Sequence, residues 1–246
     1  MADMAATLRI PAFRALVIGF TLCALSWGFS SAMQTHLALY FWHVSIEVQG
    51  VAGASLMVGM MVGMVFWRGL ASRWDKKPAF LLGMAWYTVF AAIAPLLKVA
   101  GIFPAEGTMA HTVAYAGASL LMAFGFASTL VLSGSMMADV TDEDELESGI
   151  RREGIFFGAH SFGTKVANGV GAAVGGVLYD FVGLTQGVSP ANAPASAGPQ
   201  LGLTSGILVA ILVTAGTLYF RRYDLSRERH ASIRAVLDAR AEIQTL

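Results

Sequence analysis

Residues Met137–Gly176 read MADVTDEDELESGIRREGIFFGAHSFGTKVANGVGAAVGG, and the fold turns on how they are read. The stretch opens on an acidic run, Asp139, Asp142, Glu143, Asp144, Glu145 and Glu147. Arg151, Arg152 and Glu153 follow, then an apolar, small-residue segment with one lysine in its middle, Lys165. At about 1.5 Å per helical residue, Lys165 lies roughly 16 Å beyond Gly154, near the centre of a bilayer core about 30 Å thick. A cation at that depth costs at least about 2.5–3.5 kcal/mol on insertion scales, so it needs a polar or wet neighbourhood.

The rest of the chain supports a membrane setting. Of 246 residues, 56% are hydrophobic and 13% charged, against about 25% charged in ordinary soluble domains. The 27 glycines fall inside apolar runs, where membrane helices use small residues to pack closely. These features define an all-α, polytopic membrane protein and exclude a soluble domain, which would have to bury nearly every helix on all sides. Formal net charge is zero, and no nucleic-acid partner is expected. The single Cys23 forms no disulfide within the chain and reads as a small buried hydrophobe.

Six spans are expected. They run over Phe13–Tyr40, Val51–Trp67, Ala79–Leu97, Thr112–Ala138, Gly154–Val182 and Gln200–Phe220. The first reads as a retained span rather than a cleaved leader. Gly59 and Gly63 fall four apart on one face of the second, allowing close helix approach. An uncharged loop covers Gly183–Pro199. Residues 1–223 thus form a six-helix bundle, and 224–246 a basic tail. In the tail, Ile233, Val236 and Leu237 draw an apolar strip among arginines, which suits an amphipathic helix on the membrane surface.

All Lys and Arg except Lys98 and Lys165 fall on one side of this layout. The positive-inside rule then makes both termini and the loops at 68–78 and 139–153 cytoplasmic, in a multi-pass plasma (inner) membrane protein.

Wound as a helix, the fifth span places Gly158, Ser161, Phe162, Lys165, Asn168 and Gly169 on one face, flanked by His160 and Thr164. Lipid does not accept that face, so it looks into protein or a watery cavity. Lys165 either lines a solute pathway or pairs inside the bundle. No Asp or Glu sits at mid-depth in the six spans, so a partner carboxylate must come from another polypeptide segment. A second stripe, Ala159, Gly163, Ala167, Gly171 and Gly175, suits tight helix packing. His36 and His160 read first as packed polar residues. No His/Cys/Asp grouping has metal spacing, and no nucleophile stands beside a base, so an enzyme is not expected. The acidic run, interleaved with Arg151 and Arg152 at a span boundary, favours salt bridges to another helical segment that form and break as a bundle moves.

The pattern Asp139-x-x-Asp142-x-x-Glu145, then Arg151, Glu153-Gly154 and Lys165 fourteen after Arg151, resembles the glycoside–pentoside–hexuronide:cation symporters. These are the melibiose-permease-like branch of the major facilitator superfamily. Tyr219-Phe220-x-x-Tyr223-x-Leu225, with Ile233 and Leu237, is similar to that family's C-terminus, and the basic turn Gly69–Lys77 resembles the superfamily's loop between paired helices. The resemblance covers nearly the whole chain as the C-terminal six of twelve helices. It implies cation-coupled transport of a sugar or glycoside-like solute by alternating access. The family's membrane lysine maps to Lys165, and its sugar-facing positions to His160, Ser161 and Thr164; Asn168 shares the face read above. The cytoplasmic charged lock maps to Asp139, Asp142, Glu145 and Arg151. The coupling cation, Na+ or H+, is expected outside this chain, and no covalent cofactor is implied. The family's aromatic platform for sugar falls at Leu130 here, and the wider family includes lysolipid carriers, so an amphipathic solute is the alternative. A non-transporting accessory subunit is another. Partners are membrane lipid, the solute, and either an N-terminal six-helix half or further copies of this chain; a fragment, a split transporter and a homo-oligomer all fit.

Overall fold

The computed structural model describes residues 10–184 and 192–244; Arg9 and positions 185–191 of the uncharged loop lie outside them. Seven α-helices and no strand occur among the described residues. They are α1 Pro11–His36, α2 Ile46–Arg73, α3 Lys76–Val99, α4 Met109–Ser148, α5 Glu153–Phe181, α6 Ala197–Phe220 and α7 Arg227–Gln244. A π-helical turn, Leu37–Phe41, prolongs α1.

The helix starts follow from local chemistry. Pro11 opens α1, where its missing N–H removes no helical bond. Ser45, Asp75 and Thr108 cap α2, α3 and α4 by accepting from the N–H groups of Val48, Lys76 and His111. Five helices, α1 to α4 and α6, are long and apolar enough to cross a membrane. The remaining expected span, α5, has the length at 29 residues but carries His160, Ser161, Thr164, Lys165 and Asn168 within it.

The fourth span was expected to end at Ala138, with a loop over 139–153. Instead α4 runs 40 residues, to Ser148. At about 60 Å it is twice the thickness of a hydrocarbon core, so its acidic turns stand beyond the lipid. They stay helical because cations reach them from neighbouring elements, as described below. Gly149 ends the helix at φ +73°, a left-handed conformation suited to glycine.

α1 packs on α5 and α6, α2 on α4, and α3 on α4 and α6. Small residues set the closest crossings. A methyl group built on Gly171 of α5 would collide with the Leu25 carbonyl of α1, and one on Gly63 would lie 2.6 Å from the Phe124 carbonyl oxygen of α4. These are the small-residue stripes anticipated on α2 and α5, and they bring backbones together without large side chains.

The two ends of the bundle differ. At one, Trp42, Phe103 and Tyr115 cluster, His111 Nε2 lies 3.1 Å from the Trp42 carbonyl, and Glu106 accepts from Lys98 at 2.7 Å. At the other, α7 docks beneath the acidic turns of α4. Ile233 is buried in the main core and Leu237 packs against it, while Val236 is exposed. Two of the strip's three residues, Ile233 and Leu237, are therefore turned onto protein, while Glu143 and Asp142 pair with Arg229 and His230 of its basic face.

Candidate functional site

A cleft of about 300 Å³ opens between α1, α2, α4 and α5. His160, Thr164 and Asn168 of α5 line one wall; four-residue spacing places them in one row. Thr129, Leu130, Ser133 and Phe126 of α4 face them, with Phe20, Cys23, Ala24 and Trp27 of α1 and Met60 of α2 completing the lining. The Nδ1 atom of His160 and the Oδ1 atom of Asn168 are buried and have no hydrogen-bond partner. Thr164 Oγ1 donates back to the His160 carbonyl at 3.1 Å, leaving its lone pairs to the cleft. Phe20 meets the His160 ring edge-on at 5.3 Å.

Ser161 and Lys165 form the adjacent row. Both are exposed, neither lines the cleft, and Lys165 makes no hydrogen bond or ion pair among the described residues. The expected polar face of Ser161, Lys165 and Asn168 therefore divides: Asn168 joins the flanking His160 and Thr164 at the cleft, while Ser161 and Lys165 turn outward. The outward row ends up there because Ala167, Gly171 and Gly175 take the contact with α1. The aromatic residues of α1 and α4 that wall the cleft, Phe20, Trp27 and Phe126, went unrecognised in the sequence. They sit in uniformly apolar spans, and only packing distinguishes an inward from a lipid-facing ring.

The charged cluster lies at the α7 end. Arg151 Nη1 is 3.1 Å from Asp142 Oδ1 and 2.9 Å from Glu145 Oε2, so three of the four expected lock residues meet. Asp139 does not join them. It accepts from Lys76 Nζ at 2.7 Å and lies 3.4 Å from His230 Nε2. Lys76, Arg229, His230 and Arg234 were not foreseen as members. The signal of the three tail residues was the alternation of basic residues along 227–240, legible as a helix face but without an address; Lys76 stood in the basic turn at 68–78.

Asp139, Asp142, Glu143 and Asp144 are all at least nine-tenths buried. Arg152 pairs with Asp144, and Arg229 with Glu143. Burial pushes the Glu143 carboxyl above the ordinary range, although the Arg229 charge opposes it. Hydrogen bonding to Glu145, then to Glu153 and Asp142, raises Arg151 further against desolvation. The Tyr223 hydroxyl, buried and unpartnered, is pushed up by burial and by Asp139 and Asp75. Among the described residues no group of three His, Cys, Asp or Glu side chains is placed to hold a metal ion.

Membrane-length helices around a mostly apolar cleft with one polar row define a multi-pass membrane protein. The chain belongs to the family described as MFS/sugar transport protein, whose sequence profile matches residues 1–227. It is 30% identical over 235 residues to the uncharacterized symporter sll1374 of Synechocystis, covering 92% of this chain and 40% of that protein. It is 25% identical over 235 residues to the sodium-dependent lysophosphatidylcholine symporter 1-B of Danio rerio, covering 92% and 41%. To the putative glycoside/cation symporter YagG of Escherichia coli it is 28% identical over 156 residues, covering 62% and 32%. The chain thus spans about two fifths of the length of the first two relatives.

Proposed function

We propose that this chain supplies one half of a cation-coupled symporter, whose solute enters the cleft between α1, α4 and α5. The reading rests on one observation above all: two buried polar atoms, His160 Nδ1 and Asn168 Oδ1, stand unsatisfied beside the same cleft. Leaving such groups unpaired costs about 1–3 kcal/mol each, which a hydrogen-bonding solute or water recovers. A hydroxyl-rich solute meets this donor and acceptor set, and the aromatic wall of Phe20, Trp27 and Phe126 gives a sugar ring an apolar face to lie on. A sugar or glycoside is therefore the favoured solute.

The outward row carries Lys165 to the opposing half, or to a second copy of this chain, across the pathway; transporter sites lie between two such repeats. There it meets solute, water or the carboxylate this chain does not provide. The coupling Na+ or H+ binds on that other side, since no acidic residue lines the cleft. The basic end is cytoplasmic, in keeping with the distribution of Lys and Arg. Arg151, Asp142 and Glu145 form the lock that opens when that end separates, with Asp139 held in reserve by Lys76.

Three observations favour an amphipathic solute instead. Most of the cleft lining is apolar, Leu130 stands where a sugar platform would be aromatic, and the fish relative is named for lysophosphatidylcholine. Uptake by the full-length protein in proteoliposomes decides between them. His160→Ala and Asn168→Ala are each expected to lower glycoside uptake at least tenfold at unchanged protein level. Wild-type uptake in both variants rejects the cleft as the solute site; sodium-driven uptake of lysolipid with none of glycoside selects the second solute.

A further inference from the structure

Behind the cleft lies a second cavity, of about 190 Å³, between α1, α2, α3, α4 and α6. Trp27 lines both spaces. Its ring stacks on Phe126 of the cleft at 4.2 Å, 11° from parallel, so Trp27, braced from the cleft side, is the wall they share.

The inner cavity has a distinct chemistry. Its lining is mostly apolar and aromatic, with Phe41, Trp42 and Phe90 among its walls, and no charged side chain borders it. An ionic group placed there would meet no counter-charge on the lining, which disfavours a charged occupant. Two features keep it from being plain packing. The Ser205 hydroxyl, on a residue only 3% exposed, has no hydrogen-bond partner and borders the cavity. Pro95, inside α3, removes the helical bond that the Ala91 carbonyl would otherwise accept, and Ala91 and Pro95 both border the cavity beside Gly206. The π-helical turn of α1 also contributes, through Leu37 and Phe41; such turns are frequent at functional sites.

Size points the same way. The outer cleft alone stands at the lower edge of small-molecule pockets, which run about 300–1,000 Å³, and the inner cavity alone falls short. Taken together across Trp27, the two spaces fall within that range.

We propose that the inner cavity is a subsite for an uncharged, mainly apolar substituent on the solute, such as the aryl group of an aryl glycoside. The polar part of the solute stays against His160, Thr164 and Asn168, and the substituent passes Trp27 to reach Ser205. This rests on the glycoside reading above and narrows it to glycosides with an apolar aglycone.

The test compares methyl and 4-nitrophenyl glycosides of the same hexoses, binding to the full-length protein in detergent by calorimetry. The aryl compound is expected to bind at least tenfold more tightly than its methyl counterpart. Gly206→Leu fills the inner cavity; the atoms nearest a methyl group there are those of Pro95 and the Ala91 carbonyl, at ordinary contact distances of 3.8 Å and beyond. It should abolish the aryl advantage and leave methyl glycoside binding unchanged, which also reports an intact fold. Ser205→Ala, a smaller change, should reduce the advantage by a few-fold. Equal binding of the two glycosides, or an aryl advantage that survives Gly206→Leu, overturns the subsite while leaving the cleft. Absence of binding by any glycoside rejects both readings.

Discussion

His230 of α7 stands 3.0 Å from Asp142 of α4, across 88 positions of sequence. The same carboxylate accepts from Arg151 and lies 3.7 Å from Arg234, so one buried acid is approached by the tail and by the α4–α5 connection together. Arg227 extends the tie, donating to the Ala71 and Ser72 carbonyls at the end of α2. The tail helix therefore ties α4 to α2 at the charged end.

Loss of the brace should free the tail first. His230→Ala combined with Arg229→Ala removes the contacts to Asp142 and Glu143, worth roughly 1–3 kcal/mol in all for hydrogen bonds to charged groups, part of them solvent-screened. Hydrogen exchange read peptide by peptide should show faster exchange across 227–240 and little change in α1 or α3. Unchanged protection of the tail would mean that Ile233 and Leu237 hold it unaided.

Acidification should act through Glu143. Its carboxyl is raised by burial, so the folded state binds that proton more tightly than the unfolded chain. Stability from this group therefore increases as pH falls from its raised value toward the ordinary carboxylate pKa, and is absent at higher pH. Glu143→Gln removes the dependence. Comparing thermal unfolding at pH 7 and pH 5, the wild-type protein should gain relative to Glu143→Gln. A parallel response in the two proteins would contradict the burial argument.

Glu106, at the opposite end, behaves in the reverse sense. Burial opposes ionisation, but hydrogen bonds from His43 and Lys98 hold its carboxyl below the ordinary range. Its contribution is present above the unfolded pKa and is lost as pH falls through the lower folded value. Glu106→Gln should thus flatten an acid-side loss of stability, measured by the same melts. The effect will be small, since Glu106 is about half exposed and salt screens it.

Two glycines of α5 separate packing from exposure. Gly171→Val drives a side chain into the Leu25 backbone and should cost roughly 1–3 kcal/mol or more. A methyl group on Gly169 meets nothing within 4 Å among the described residues, so Gly169→Val should be tolerated by this chain alone. Detergent unfolding of the two variants checks this. If Gly169→Val proves damaging only in the full-length protein, the outward face of α5 is packed against the other half.

The sequence made some of this legible and hid the rest for physical reasons. Length, apolarity and small-residue stripes specify helices and their close-packing faces, so the Gly59/Gly63 and Gly171/Gly175 faces could be read directly, though not the helices they meet. The row of His160, Thr164 and Asn168 was visible as polar residues in an apolar helix. Its separation from Ser161 and Lys165 was not, because rows one residue apart differ by only about a quarter turn and packing decides which turns inward. The continuation of α4 was masked by its charge. A run of carboxylates reads as a solvated loop unless its cations are known, and those came from Lys76 and from a tail about ninety residues away.

The central claim is that solute travels through the cleft between α1, α4 and α5. Thiol labelling in the full-length protein tests it most directly, with Cys23 replaced by serine because it lines the same cleft. A cysteine at position 164 should react with a water-soluble methanethiosulfonate, and a transported glycoside should slow that reaction several-fold. A thiol at 164 that is sealed from aqueous reagent, or one whose labelling a transported solute leaves unaltered, would contradict the account.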